Sequence, residues 1–250
     1  MKIVSWNLNG LQATLQSGAF RHIAARCPDI LCLQEIRTKQ EPIVLNGYEH
    51  IWNHCQKDGY AGTAILCRQP PCHIWRGFED GKTDPEGRLL TIELTSCFVI
   101  NAYVPNSQKN LKRHMYRMEW DERFREFVCN LRDEKPVIIA GDFNVARANI
   151  DIYPENIRQY WAGQGYASDE RSNFETLIEC GFTDAFRRLH PTERSYTWWS
   201  NRLNKRQQDR GWRLDYFLVD DDLRHEVKAV RHLKEIYGSD HCPIELEIRL

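Results

Sequence analysis

Short Val- and Ile-rich runs, several of them ending in polar or ionisable residues, constrain this 250-residue chain more than any other feature. They fall at 3–6, 30–33, 63–67, 89–94, 98–103, 137–140, 214–219 and 244–248, and most are apolar throughout, as strands covered on both faces are. Helical periodicity is confined to 17–26, 111–131 and 169–180. In the longest stretch Leu111, Met115 and Met118, then Trp120, Phe124, Phe127 and Leu131, form a stripe that predicts core packing. Helices are too few to alternate with every strand. The pattern therefore predicts sheets packed on each other with helices outside, not a Rossmann sheet or a TIM barrel.

No low-complexity linker or charge block marks a boundary, so residues 1–250 are expected to form a single domain. No stretch approaches the roughly 18 apolar residues of a membrane span, and the start, MKIVSWNLNG, lacks the long apolar core of a signal peptide. The nine cysteines are odd in number, lack zinc-knuckle spacing and mostly sit in apolar runs. Reduced, mostly buried thiols and an intracellular chain are expected. Net charge is −1, which leaves a nucleic-acid partner open until clustering is considered. Residues 107–117 carry Lys109, Lys112, Arg113 and Arg117 with no acid. Residues 202–213 carry Arg202, Lys205, Arg206, Arg210 and Arg213 against Asp209, beside Trp198, Trp199 and Trp212. Cations among aromatics suit phosphate neutralisation and stacking, and equally an ordinary solvated face.

Five strand ends carry amide, carboxylate, phenol or imidazole groups: WNLN at 6–9, LQE at 33–35, YVPN at 103–106, GDFN at 141–144 and GSDH at 238–241. Each alone suits a turn, but together they suggest one mouth of a sandwich. IVSWNLNG and IIAGDFNV also read as weak copies of one another, a sign of internal duplication. Phosphodiester hydrolysis needs a hard cation, a group to take the water's proton and help for the leaving oxygen. Glu35 is a candidate cation ligand, or a solvated carboxylate at a strand end. Asp142 and Asn144 flank Phe143 and share a face on an extended backbone, as a water-activating pair or as a turn closing the strand. His241 needs a carboxylate from elsewhere. Asp215, a charge inside a core strand, is the candidate, since such a charge is costly unless paired.

These motifs resemble the exonuclease III family of abasic-site endonucleases, within the endonuclease/exonuclease/phosphatase superfamily. The resemblance runs nearly end to end through SWNLNGL, DILCLQE, KDGYAGTA, DPEGR, NAYVPN, GDFNVA, YTWWS, GWRLDYFLV and GSDHCPIELEI. It implies a four-layer α/β sandwich, two packed mixed sheets flanked by helices, and a Mg²⁺-dependent enzyme, with Mn²⁺ as an alternative ion. Such an enzyme cuts duplex DNA 5′ to an abasic site, leaves a 3′-hydroxyl and trims blocked 3′ ends as an exonuclease or phosphodiesterase. Glu35 would bind the metal with Asn7 and Asp240 close by, Asp142 would activate water and Asn144 would position it. Tyr103 and His241 would contact the phosphate, with His241 held by Asp215. Trp198, Trp212 and Leu214 would receive the flipped baseless sugar, while Asn106, Lys109 and Tyr60 would touch the DNA strand. The resemblance further implies a monomer without a membrane partner, in the nucleoid or cytoplasm of a prokaryote or the nucleus of a eukaryote.

Gln12, Lys109 and Arg147 depart from the family's usual residues, and 153–164 does not follow its asparagine-rich loop. Two other readings are a hydrolase of another phosphate ester, such as a phosphoinositide, and a binding-only regulator that has lost catalysis. The second should lack the metal carboxylate, the GDxN motif or the final DH, and all three are present.

Overall fold

A computed structural model of the protein describes residues 1–78, 84–160 and 163–250, with 158–160 as backbone alone. In chain order the described elements are β1 (Lys2–Asn7), α1 (Leu11–Gln16), α2 (Phe20–Arg26), β2 (Ile30–Gln34), β3 (Glu49–Asn53), β4 (Thr63–Cys67), β5 (His73–Arg76), β6 (Leu89–Glu93) and β7 (Phe98–Tyr103). There follow α3 (His114–Arg132), β8 (Val137–Asp142), α4 (Pro154–Tyr160), α5 (Ser168–Glu179), β9 (Phe182–Asp184), α6 (Ala185–Leu189), β10 (Asp215–Asp220), β11 (Val227–His232) and β12 (Ile244–Ile248). No described helix is long and apolar enough to cross a membrane.

The strands form two six-stranded sheets, ordered β11-β12-β1-β2-β4-β3 and β5-β6-β7-β8-β10-β9. Each has one parallel pair, β1 with β2 and β7 with β8, flanked on both sides by antiparallel neighbours. Reversing one order superimposes the two patterns, with β1 matching β8. The weak sequence likeness of those two strands thus coincides with equivalent places in two similar halves.

Ile3, Ile30, Cys32 and Ile65 of one sheet meet Ile92, Val99, Ile138, Ala140 and Phe217 of the other in a shared core. Such burial contributes about 1.5–3 kcal/mol for each large aliphatic or phenyl side chain. α1 and α2 cover the outer face of the first sheet, and α3 and α5 that of the second. The arrangement is the expected four-layer sandwich. Near its mouth Gln34 donates to Asn101 Oδ1 at 2.7 Å, and Asn101 donates to the Leu33 and Ala64 carbonyls at 2.9 Å, a polar pin between sheets.

Several boundaries differ from the sequence pattern. The helix expected over 17–26 starts at Phe20, because Gly18 at φ +70° turns the chain out of α1. The long helix starts at His114. Leu111 sits in a preceding turn at φ +55° and Met115 is 73% exposed, so the buried stripe runs from Trp120 to Leu131. The unforeseen strands β3, β5, β9 and β11 occupy the four sheet edges, where partial exposure dilutes the apolar signal.

Two positions explain residues that the apolar pattern leaves unaccounted for. Gly141 adopts φ +150°, and a Cβ there would lie 1.9 Å from the Ala102 carbonyl oxygen, so the close approach of β7 to β8 demands glycine. Arg213 is fully buried, bonded to Asp151 at 2.8 Å and to both oxygens of Asp184 at 3.0 and 2.7 Å. It joins the segment after β8 to β9 and to the entry of β10.

Replacing Arg213 with Met removes the cation shared by two buried carboxylates, leaving Asp151 with Arg187 and Asp184 with the Arg187 backbone N–H. Urea unfolding should show a loss of about 3–5 kcal/mol. A loss below ~1 kcal/mol would mean that the network does not carry the fold as described.

Candidate active site

The carboxyl ends of both parallel pairs point to the same end of the sandwich. Beside them lie the start of β10 and the turn before β12. Together they surround a cavity of about 340 Å³. Glu35 follows β2, Tyr103 ends β7, Asp142 ends β8, and Asp240 and His241 come from the last turn. Several of these positions sit at positive φ without being glycine: Asn9 (+48°), Glu35 (+51°), Arg37 (+50°) and Asn144 (+49°). Backbone strain of this kind is retained where a side chain must be aimed. Asn144 therefore meets Asp142 through a turn, one of the two arrangements the sequence left open, and not along an extended strand.

Asp142 is the hub. Its Oδ2 accepts from Asn7 Nδ2 at 2.8 Å and from Asn144 Nδ2 at 3.2 Å, and its Oδ1 accepts from the Asn144 amide at 2.9 Å. Asn7 also donates to Glu35 Oε1 at 3.0 Å. The amide of Asn7 thus sits between the two carboxylates as a donor to both, while its oxygen receives the Asn9 N–H at 3.0 Å. His241 Nδ1 donates to Asp215 Oδ2 at 2.8 Å, and its Nε2 lies 3.9 Å from Asp142 Oδ2. The indole of Trp6 bonds the His241 carbonyl at 3.2 Å, fixing the histidine from the first strand.

Burial pushes the Asp142 carboxyl up to about 7, aided by the charges of Asp215 and Glu35 and opposed by His241 and the Asn144 amide. Burial would lower His241, but the anions Asp215 and Asp142 outweigh it and hold the imidazole at about 10. It is therefore an imidazolium at neutral pH. Burial, and next the charge of Glu35, push the Tyr103 phenol well above its ordinary value, so it stays protonated. A carboxylate and two protonated groups, the Tyr103 phenol and the His241 imidazolium, consequently face one space.

Asp142, Asp215 and His241 bring potential ligand atoms within 4.8 Å of one another. An imidazolium has no free lone pair, however, and its Nδ1 is committed to Asp215. Glu35 and Asp240 are further carboxylates lining the cavity beside Asp142, outside that group of three. That all-oxygen set suits a hard divalent ion. Both Asp240 oxygens carry donors, Asn9 Nδ2 at 2.9 Å and Trp198 Nε1 at 3.0 Å. Arg37 forms an ion pair with Glu35.

One wall is apolar. Trp198 and Trp212 meet edge to face with centroids 6.3 Å apart, and Leu214 completes the surface. Asn106 reaches the same cavity and donates to Asn144 Oδ1 at 2.8 Å. Lys109 is exposed and Tyr60 half-buried, and neither lines the cavity. The cavity also takes in Arg37, Gln164 and Gly165, which sequence reasoning missed, and Asn9, which it placed at a strand end without a role. Asn9 and Arg37 lie two residues beyond Asn7 and Glu35, a spacing that could have flagged them. Gly165 carries no comparable signal. Its requirement is conformational, at φ +78° against Trp212.

The two basic blocks divide, because many of their cations have internal partners while others stay exposed. Arg113 bonds Glu86 and Tyr60, and Arg117 bonds Asp121 and the Pro105 carbonyl. Arg206 holds the Ser239, Lys234 and Ile236 carbonyls, Arg210 pairs with Glu155, and Arg213 is core. Lys109, Lys112 and Arg202 are exposed. Arg147, one of the departures, is paired with Glu175 of α5, and Gln12 bonds Gln40 at the surface. Within 153–164, Trp161 and Ala162 lie outside the described residues, while Pro154–Tyr160 forms α4.

Residues 4–241 match the model of the endonuclease/exonuclease/phosphatase family. An exodeoxyribonuclease of Bacillus subtilis is 38% identical over the whole of both chains. An AP endonuclease from Leishmania major superimposes with a TM-score of 0.90 at 31% identity, covering 100% of this chain and 87% of its own. A 3′ phosphatase from Neisseria, solved with a product DNA hairpin, superimposes with a TM-score of 0.91 at 30% identity over all of both chains. The chain belongs to the endonuclease/exonuclease/phosphatase family, in its exodeoxyribonuclease and abasic-site endonuclease branch.

Asp215→Asn removes the anion that most raises His241. The His241 ring should then titrate well below about 10, as followed by proton NMR of the imidazole. Phosphodiester cleavage should gain a falling limb as pH rises through that lower value. An unchanged ring titration would show that Asp215 does not set the histidine's charge.

Proposed function

We propose that the protein is a Mg²⁺-dependent DNA-repair phosphodiesterase that cuts duplex DNA 5′ to an abasic site. The products are a 3′-hydroxyl and a 5′-deoxyribose phosphate, and the same site removes blocking groups and nucleotides from 3′ ends. One observation carries this reading: the apolar wall of Trp198, Trp212 and Leu214 lies in the same cavity as Asp142, Tyr103 and His241. A sugar without its base fits such a wall, and extruding it costs less than extruding a paired nucleotide.

Asp142, poised near neutral pH, takes the proton of a water that Asn144 holds in place. The water oxygen attacks phosphorus opposite the bond to the 3′ oxygen, which breaks, and the departing oxygen takes a proton from solvent to become the 3′-hydroxyl. Tyr103 and the His241 imidazolium donate hydrogen bonds to the phosphate oxygens as charge accumulates. Asp215 keeps the histidine charged and oriented. Mg²⁺, held by Glu35 with Asp240 and Asn7 nearby, supplies neutralisation of the phosphate charge when bound, and Mn²⁺ suits the same oxygens. Lys109 and Tyr60 sit outside the cavity, as groups touching the DNA backbone would. The working form is a single-domain monomer without a membrane partner, acting wherever the cell keeps its DNA, nucleoid or nucleus.

A labelled duplex with one stable abasic analogue tests the proposal. Wild-type protein with Mg²⁺ should give a single cut 5′ to the analogue and none with chelator. Asp142→Asn should slow the cut by roughly 10²–10⁴-fold, the usual contribution of a positioned base. Intact DNA with wild-type protein and Mg²⁺ would remove the abasic-site claim.

A further inference from the structure

The segment DPEGR, residues 84–88, lies outside the cavity, yet its side chains are deeply engaged. Asp84 Oδ2 accepts the backbone N–H groups of Arg88 at 2.6 Å and Leu89 at 3.0 Å, closing a turn just before β6. Gly87 adopts φ +60° within that turn, and a Cβ there would lie 2.5 Å from the Asn53 carbonyl oxygen. The turn delivers Arg88, only 1% exposed, beneath the end of β7.

The guanidinium of Arg88 lies 4.3 Å from the ring centroid of Tyr103 and donates to the Tyr103 carbonyl at 3.1 Å. The Tyr103 N–H in turn donates to the Arg88 carbonyl at 2.8 Å. Glu86 anchors this arginine at 2.6 Å and uses its other oxygen to hold Arg113 at 2.8 Å. Arg113 donates to the Tyr60 hydroxyl at 2.7 Å, which Arg88 also reaches at 3.4 Å. One carboxylate therefore ties together two tyrosines, one lining the reaction cavity and one outside it.

We propose that Arg88 is a positioning residue for the hydrolysis, aiming the Tyr103 hydroxyl at the scissile phosphate through its stack on the ring and its bond to the Tyr103 carbonyl, with Glu86 holding it in register. This rests on the reading of Tyr103 as a phosphate donor. A buried fork stacked on an aromatic face is rigid in a way that a lysine is not. Misplacing a catalytic group by about 1 Å can slow a reaction by roughly 10²-fold. Through Glu86 and Arg113 the same unit fixes Tyr60, so a backbone contact there reports to the reaction centre.

A double-mutant cycle separates positioning from bulk stability. Single-turnover cleavage at saturating protein is measured for wild type, Arg88→Lys, Tyr103→Phe and the pair, on an abasic duplex and on a duplex with a blocked 3′ end. Arg88→Lys should slow both substrates about 10–100-fold with thermal midpoint and duplex affinity little changed. In the Tyr103→Phe background it should cost less than about threefold, because the hydroxyl it aims is gone. Glu86→Gln, run through the same cycle, should show the same non-additivity and serves if Arg88→Lys does not fold. Additive losses in both cycles would overturn the role of Arg88. A Tyr103→Phe enzyme as fast as wild type would overturn it as well. Failure of wild type on the abasic duplex alone would instead sink the substrate reading, leaving the cycle to be read at the 3′ end.

Discussion

A carboxylate removed from water, Asp142, is the constraint on which the rest of the site depends. At 1% exposure it is costly to ionise unless the surroundings supply donors and compensating charge. Asn7 and Asn144 supply the donors, and His241 supplies the charge because Asp215 keeps it protonated. None of these groups is its sequence neighbour except Asn144. Each comes from a different strand or turn, so the site exists only when both sheets are in register. Within the second sheet the antiparallel pairing of Asp215 with Asp142 and the parallel pairing of Tyr103 with Asp142 set the register, and the Asn7–Asp142 bond joins it to the first sheet.

The two similar halves explain why the site lies at one end. In each sheet the parallel pair sends two carboxyl ends the same way, and β1 and β8 face each other across the core. Asn7 at the end of β1 and Asp142 at the end of β8 thereby come within a hydrogen bond. The asparagine and the aspartate occupy matching places, one serving as donor and the other as acceptor. Gly141 permits the tight approach of β7, and the polar pin from Gln34 to Asn101 fixes the sheets just behind the mouth. Chemistry at the end of a sandwich thus follows from topology before any specific contact is considered.

Much of this was legible in the sequence because central strands and strand ends carry strong local signals. Runs such as 137–140 are apolar throughout, and GDFN and GSDH stand where an apolar run stops or starts. Edge strands such as His73–Arg76 were not legible, since a half-exposed strand of four residues does not differ from a loop in composition. The pairing of His241 with Asp215 followed from the cost of an unpaired charge in a core strand. The basic blocks left two readings open for the converse reason. Arginine counts alike whether it faces solvent or, as Arg213 does, fills a buried ion network. Gln164 enters the cavity through loop geometry that no periodicity encodes.

The central claim is that water attacks phosphorus, with Asp142 taking its proton and the 3′ oxygen departing. Cleavage of a duplex bearing a natural abasic site in ¹⁸O-enriched water, followed by mass analysis of both new ends, tests it most directly. One ¹⁸O atom in the 5′-phosphate of the deoxyribose product, with an unlabelled 3′-hydroxyl, is the predicted result. A label on the 3′ oxygen, or an unlabelled phosphate opposite an unsaturated 3′ aldehyde, would contradict it by placing the break at a carbon–oxygen bond.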